Sequence, residues 1–288
     1  MLPTEDYLSG VENSWCPGCG DHMILQAMKL ALKELKIPHE ELVFVSGIGC
    51  GSKFPHYVNA YGMETLHGRI LPNATGVKLA NNRLTVIGIG GDGDAFGIGL
   101  NHFMHTMRRN LDITYIVQNN EIYALTKGQT SPVSPKGFKT KTTPSGVIEM
   151  PVIPLAYALI ANATFVARTY AYNPKHMKEM IVAAIKHRGI AFLDIIQPCP
   201  SMNKGFDPKY IEKKIYDVKD KNHDKADWNA ALKIAQEMEK FPIGIIYQEK
   251  PPKERPTYSD ELFQMKDKPL VELDVENVDI SETLEEYK

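Results

Sequence analysis

The chain has 288 residues, 43% of them hydrophobic, with a formal net charge of −2 at pH 7. That is enough apolar material for one large domain or two small ones, and the balanced charge gives no global attraction for nucleic acid or an anionic membrane. No apolar run approaches the roughly 18 residues of a membrane span, and the N-terminus, MLPTEDYLSGVENSW, lacks the basic start and apolar core of a signal peptide, so a cytoplasmic location is expected.

Cys16-Pro17-Gly18-Cys19-Gly20 opens the folded part, and the apolar spacing of Met23, Ala27, Met28, Ala31 and Leu35 predicts a helix from Asp21 to Lys36. His22, at its start, reads as a surface or cap residue. Leu42 to Ser46 predicts a strand that runs into Gly47-Ile48-Gly49-Cys50-Gly51-Ser52-Lys53, a glycine-rich turn of the kind that brings backbone close to a ligand. A structural cysteine belongs inside an apolar strand or helix, so the position of Cys50 among glycines favours a functional role. His67 and Arg69 are candidates for contacting an anionic cofactor, with a satisfied structural histidine as the alternative for His67, and residues 73 to 78 look like a helix start.

The stretch from Leu84 to Tyr123 is the most informative. Val86, Ile87 and Ile89 form a strand, Gly90-Gly91-Asp92-Gly93-Asp94 a glycine turn, and Phe96, Leu100, Phe103, Met104 and Met107 a helical pattern. A second buried strand, Ile113 to Val117, leads to Asn119-Asn120. The string Gly88 to Gly93 matches the dinucleotide pattern, but a carboxylate among amides that face a diphosphate would repel it unless a cation lies between. A hard divalent ion resolves that conflict, and Asp92 with Asn120 has the oxygen chemistry for Mg²⁺.

Residues 126 to 146, TKGQTSPVSPKGFKTKTTPSG, have a linker's composition, yet a loop this long that leaves directly from the metal-type turn also suits a lid. Helix Leu155–Ala163, strand Phe165–Arg168, helix Pro174–His187 and strand Ile190–Gln197 follow, with Cys199 just past a strand end. The charged stretch 204 to 225 reads as a solvated excursion, Trp228 to Lys240 as a helix and Ile243 to Tyr247 as a strand. The alternation predicts an α/β fold with a mostly parallel sheet, helices on both faces and ligands beyond the carboxyl ends of the strands. Residues 1–248 are expected to form this domain, N-terminal cysteine segment included, and 249–288 a C-terminal extension or arm.

In a reducing compartment four cysteines are expected to be ligands or catalytic groups, and a C-x-x-C pair with two single cysteines leaves two metal readings open. Four thiolates suit structural zinc, but zinc ribbons usually supply two C-x-x-C pairs, whereas a [4Fe–4S] cube accepts ligands scattered along the chain.

GDG at 91–93 followed by a helix, a strand and Asn119-Asn120 resembles the thiamine-diphosphate signature. That resemblance implies Mg²⁺ on Asp92, Asn120 and the Ile122 carbonyl, with Gly93 and Asp94 beside the diphosphate. To about residue 250 the chain resembles the β subunit of the 2-oxoacid:ferredoxin oxidoreductases. The matching stretches are WCPGCGDH (15–22), SGIGCGSKFP (46–55), LHGR (66–69), ATGVKLAN (74–81), GDGDAFGIG, NNEIYALTKGQTSP and QPCPSMN (197–203). The family implies the thiamine-diphosphate-binding fold, a [4Fe–4S] cluster on Cys16, Cys19, Cys50 and Cys199, and cofactor contacts from Ile48, Gly49, Cys50, Gly51, His67, Ala124 and Leu125. It further implies oxidation of a 2-oxo acid with coenzyme A, electrons leaving one at a time to ferredoxin, which redox-inert zinc could not relay.

ATFVART (163–169) and LTKGQTSP look most like the 2-oxoglutarate-type members, with pyruvate-type or broad-range members as the alternative. Lys53 is the candidate partner of a substrate carboxylate and, with His67, a candidate catalytic residue. Gly51 stands where serine is common and Ala124 where glycine is common. The chain has motifs for the diphosphate-binding half only, so a larger α (or fused γα) subunit is expected to carry the pyrimidine-binding domain, in an (αβ)₂ assembly. A non-oxidative thiamine lyase or carboligase with structural zinc, and a non-catalytic electron-transfer or scaffolding subunit, are the readings from other classes.

Overall fold

Runs such as Leu42 to Ser46 and Ala191 to Ile196 offer no polar face to water, so they are stable only where both sides are covered. In the computed structural model, which describes residues 7–250, 257, 258, 260, 269–272 and 281–285, they lie inside an eight-stranded sheet. Its strands are β1 (Leu42–Ser46), β2 (Tyr61–Glu64), β3 (Thr85–Gly91), β4 (Thr114–Asn119), β7 (Phe165–Tyr170), β8 (Ala191–Ile196), β9 (Ile215–Asp217) and β10 (Phe241–Gln248), ordered β2-β1-β3-β4-β8-β7-β10-β9. A separate ribbon pairs β5 (Ile122–Tyr123) with β6 (Gln129–Thr130). Among the described residues only the β10–β7 pairing in the main sheet is antiparallel.

Parallel neighbours need crossovers, and helices supply them on both faces. Helices α1 (Gly20–Leu35) and α6 (Pro174–Lys186) pack on one face against Phe44, Ile116 and Leu193. On the other, α2 (Ile70–Ala80), α4 (Leu100–Arg109), α5 (Pro154–Ile160) and α8 (Trp228–Ala235) cover Val45, Val117 and Phe192. Phe103 stands edge-on to Phe96 and Phe192, at 5.2 and 5.1 Å between ring centroids. Each such fully buried side chain contributes about 1.5–3 kcal/mol. Among the described residues no helix is long and apolar enough to cross a membrane.

Several expected elements change at their ends. The helix after the glycine turn is two pieces, α3 (Asp92–Phe96) and α4, because Gly97 leaves helical backbone at φ −82°, ψ −114°. The helix expected from residue 73 starts at Ile70, and α8 stops at Ala235, short of the expected Lys240. Two edge strands carry no sequence signal: β2 is exposed at all four positions, and β9 lies in the charged stretch 204–225. That stretch also holds α7 (Pro208–Glu212), capped by Asp207 and anchored by Ile211 and Phe206, which are buried against Tyr170 and Ile196.

The segment 126–146 is no loose linker. Its strand β6 pairs with β5, Ser131, Val133 and Ser134 are buried, and Ser134 Oγ donates to the Glu121 carbonyl at 2.6 Å. Most of the expected arm, 249–288, lies outside the described residues. Thr257 is buried, the Tyr258 amide donates to the Asn110 carbonyl, and Asp260 pairs with Arg188.

Candidate active site

The strands β1, β3, β4 and β8 are neighbours and parallel, so their carboxyl ends open at one place. Beyond them lie Gly47 to Cys50, Asp92, Asn120 and Gln197 to Cys199. A cavity of about 300 Å³ forms there, lined by Ile48, Gly49, Cys50, Gly51, His67, Asp92, Gly93, Asp94, Asn120, Ile122, Ala124 and Leu125, the residues the family resemblance implies at the cofactor. Arg69, the other candidate for an anionic cofactor, does not line it and turns its guanidinium to the Gly68 and Ile98 carbonyls.

At its floor Asp92 Oδ1 accepts the Asn120 amide at 3.2 Å, and Asn120 Oδ1 accepts the Ile122 amide at 3.1 Å. Asp92 Oδ2 is buried and has no hydrogen-bond partner. Burial pushes the Asp92 acid up to about 7. A divalent cation beside Oδ2 would satisfy the orphan and keep the carboxylate ionised, and Asp92, Asn120 and the Ile122 carbonyl are oxygen donors of the class Mg²⁺ takes. Glu121, between Asn120 and Ile122, holds φ 58°, a left-handed turn that few residues with a Cβ adopt. Ala124 has no positive φ; the turn that follows uses Lys127 at 80° and Gly128 at 103°.

Asp94 works differently. Its Oδ2 accepts the amides of Ile48 at 3.0 Å and Gly68 at 2.9 Å and lies 3.1 Å from His67 Nδ1, while Oδ1 is buried without a partner. One carboxylate therefore ties the β1 turn and the His67 loop to α3 and keeps an oxygen in reserve. Tyr123 donates to the Gly93 carbonyl at 3.0 Å, and its ring lies 5.9 Å from that of His67. Both rings stand on the cavity wall.

Next door, Cys16, Cys19, Cys50 and Cys199 line a second cavity of about 130 Å³, with Lys53 and Lys127. All four are free thiols. The two cavities share Cys50, Asn120, Ala124 and Leu125. Local contacts fix the frame: Trp15 Nε1 donates to the Cys50 carbonyl at 2.8 Å, Asn203 bonds Cys199 through its backbone and the Asn120 carbonyl through its side chain, and His22 Nε2 meets the Cys16 carbonyl. Burial, then the neighbouring Asp21, pushes the Cys19 thiol far up, and burial raises Cys50 to about 11. Thiolates here need a cationic centre beside them, as an iron–sulfur cluster provides.

Lys53 does not reach the larger cavity. Its Nζ donates to Ser14 Oγ at 2.9 Å beside the cysteines. Sequence reasoning missed Asp21, which is fully buried with Oδ2 3.3 Å from Cys19 Sγ, and Gln197, whose Nε2 approaches the same sulfur at 3.5 Å. It also missed Gln118 and Tyr123 in the cavity lining. Gln118 carried one usable signal: two residues before Asn120 on a strand, it points to the same side.

Residues 47–195 match the family model described as thiamine pyrophosphate enzyme, C-terminal TPP binding domain, and residues 199–267 match the C-terminal family model of the pyruvate ferredoxin oxidoreductase beta subunit. The 2-oxoacid:ferredoxin oxidoreductase subunit beta of Saccharolobus solfataricus is 46% identical over 253 residues, 82% of each chain. The 2-oxoglutarate oxidoreductase subunit KorB of Mycobacterium tuberculosis is 47% identical over 201 residues, 70% of this chain and 54% of that one. A solved 2-oxoglutarate:ferredoxin oxidoreductase from Magnetococcus marinus, with 2-oxoglutarate, coenzyme A and succinyl-CoA bound, superposes with a TM-score of 0.90 at 37% identity, over 100% of this chain and 96% of that one. With the thiamine-type loop and the cysteine cavity at adjoining strand ends, this chain belongs to the β subunits of the 2-oxoacid:ferredoxin oxidoreductases.

Proposed function

We propose that this chain, together with a larger partner, catalyses oxidative decarboxylation of 2-oxoglutarate with coenzyme A to an acyl-CoA and CO₂, electrons leaving through a [4Fe–4S] cluster to ferredoxin. The same groups serve reductive carboxylation. The observation that carries the reading is the shared wall of the two cavities: a cofactor in one and a cluster in the other would be neighbours. The choice of 2-oxoglutarate rests on the names of the Mycobacterium tuberculosis relative and the Magnetococcus marinus structure. A zinc-bearing lyase is the weaker reading because zinc ribbons usually supply two C-x-x-C pairs, whereas one pair and two single cysteines on one cavity wall suit a four-iron cube.

Thiamine diphosphate, when bound, supplies the electron sink that lets a 2-oxo acid lose CO₂. The chain's own residues hold it: Asp92, Asn120 and the Ile122 carbonyl carry Mg²⁺ for the diphosphate, and Gly93 and Asp94 stand beside it. His67, its Nδ1 held 3.1 Å from Asp94 Oδ2, lines the cavity. Cys16, Cys19, Cys50 and Cys199 hold the cluster. Leu66, Ile98, Ile48 and Leu125 are 77, 56, 43 and 44% exposed near the cavity, an apolar rim suited to the partner that brings the pyrimidine-binding domain. An (αβ)₂ assembly follows if that pair repeats about a twofold axis.

The test is iron and sulfide analysis with visible spectroscopy on the complex purified without oxygen. About four irons and four sulfides per β chain, and a brown band that bleaches with 2-oxoglutarate and coenzyme A, are expected. One zinc and no iron would overturn the oxidoreductase mechanism, and a larger kcat/KM for pyruvate would overturn the substrate assignment. With Lys53 turned to Ser14 beside the cysteines, Lys53→Ala should leave KM for every 2-oxo acid unchanged. A KM raised for 2-oxoglutarate alone would restore Lys53 to substrate binding.

A further inference from the structure

Gln118, the last residue but one of β4, is 1% exposed and lines the cofactor cavity, yet neither its Oε1 nor its Nε2 has a hydrogen-bond partner. Other buried orphans near the strand ends, Ser46, Ser52 and Asn119, do not line that cavity; Asp92, Asp94 and His67 do, and each already has a role. An amide buried with both its donor and acceptor unmet is costly, and a ligand that meets them recovers the cost.

The neighbouring turn is shaped around this amide. A Cβ built on Gly51 would lie 1.5 Å from Gln118 Oε1 and 2.6 Å from its Cδ. Gly51 is buried and takes no positive φ, so alanine would suit its backbone; what excludes a side chain is the space the amide fills. Gln118 also pairs across the sheet with Gly91, the residue before Asp92, so the amide stands between the metal-type turn and the cysteine-bearing turn.

We propose that Gln118 is a cofactor-binding residue: its carboxamide, given room by Gly51, hydrogen-bonds thiamine diphosphate in the larger cavity. The inference rests on the cofactor assignment above. The test is calorimetric titration of thiamine diphosphate with Mg²⁺ into the cofactor-stripped complex. Gln118→Leu keeps the bulk and removes the amide, and should raise the dissociation constant ~10-fold or more, the loss expected for a buried hydrogen bond. Gly51→Ala should evict the amide and weaken binding similarly, and Gly51→Ala with Gln118→Leu should be no weaker than the worse single variant, since both act on one contact. Iron content should stay at the wild-type value throughout, which separates lost contact from misfolding.

A dissociation constant within twofold of wild type for Gln118→Leu would overturn the inference alone. Additive losses in the double variant would overturn the part assigned to Gly51. Failure of the wild-type complex to bind thiamine diphosphate would overturn the cofactor reading and this inference with it.

Discussion

The two ends of the parallel sheet treat buried polar atoms in opposite ways. At the amino end, Asn110 Oδ1 accepts the Thr164 hydroxyl at 2.7 Å and the Ile190 amide at 3.0 Å, Thr164 also meets His187 Nε2 at 2.8 Å, and Lys78 bridges Asp112 and the Leu84 carbonyl. At the carboxyl end, Asp92 Oδ2, Asp94 Oδ1, Asn119 Oδ1 and both amide atoms of Gln118 are buried with nothing to bond. One end is closed on itself and stabilises the fold. The other holds its bonding capacity open, which costs stability and leaves partners for a ligand.

The largest effect expected from this contrast is on loading. Asp92→Asn removes the one carboxylate of the metal set and should weaken Mg²⁺-dependent retention of thiamine diphosphate on the order of 100-fold or more, measured on the complex by calorimetry. Cys199→Ser should abolish the brown absorbance and the iron content. Full iron with Cys199→Ser would break the assignment of the second cavity.

Next is a reciprocal pair of stability changes. Asn110→Ala, at the closed end, leaves the Ile190 amide short of an acceptor, puts alanine on a left-handed φ of 51° and should cost about 2–4 kcal/mol in urea unfolding without changing cofactor affinity. Asp92→Asn should go the other way in the metal-free chain. Burial holds the Asp92 acid up at about 7, against 3.8 ordinarily, so ionisation opposes folding as pH rises between those values. At pH 8 the substitution should therefore stabilise the metal-free chain by roughly 1–3 kcal/mol, and by little at pH 4. Destabilisation at both pH values would end the claim that this end is held under cost.

The smallest expected effect is a slope. Burial holds His187 down at about 4 from the usual 6.5, with Asp112 opposing. The unfolded chain takes up a proton that the folded chain refuses, so stability present above pH 6.5 is lost as pH falls towards 4, by on the order of 2 kcal/mol. His187→Gln should flatten that part of the unfolding curve. An identical slope would mean that His187 is not held neutral by the closed network.

Much of the fold and the site was legible in short-range pattern. Apolar runs as continuous as Leu42–Ser46 and Ala191–Ile196 have no stable place except a covered parallel strand, and a carboxylate inside a glycine turn demands a cation if a diphosphate is to bind. Cys16, Cys19, Cys50 and Cys199 stood out as candidate ligands because they fall among glycines and prolines, and packing brings all four to one cavity wall. Edge strands β2 and β9 were not legible, since each owes its pairing to a neighbour rather than to its own pattern.

Which groups meet was settled by packing. It brought four strand ends into two adjoining cavities, turned Lys53 towards Ser14, and set Asp21 against Cys19. It also placed the Gln118 amide in the space Gly51 leaves, a relation between residues distant in the chain that no local periodicity encodes. The physical reason is that propensity and burial pattern act over a few residues, whereas whether a buried polar atom is satisfied depends on every element packed around it.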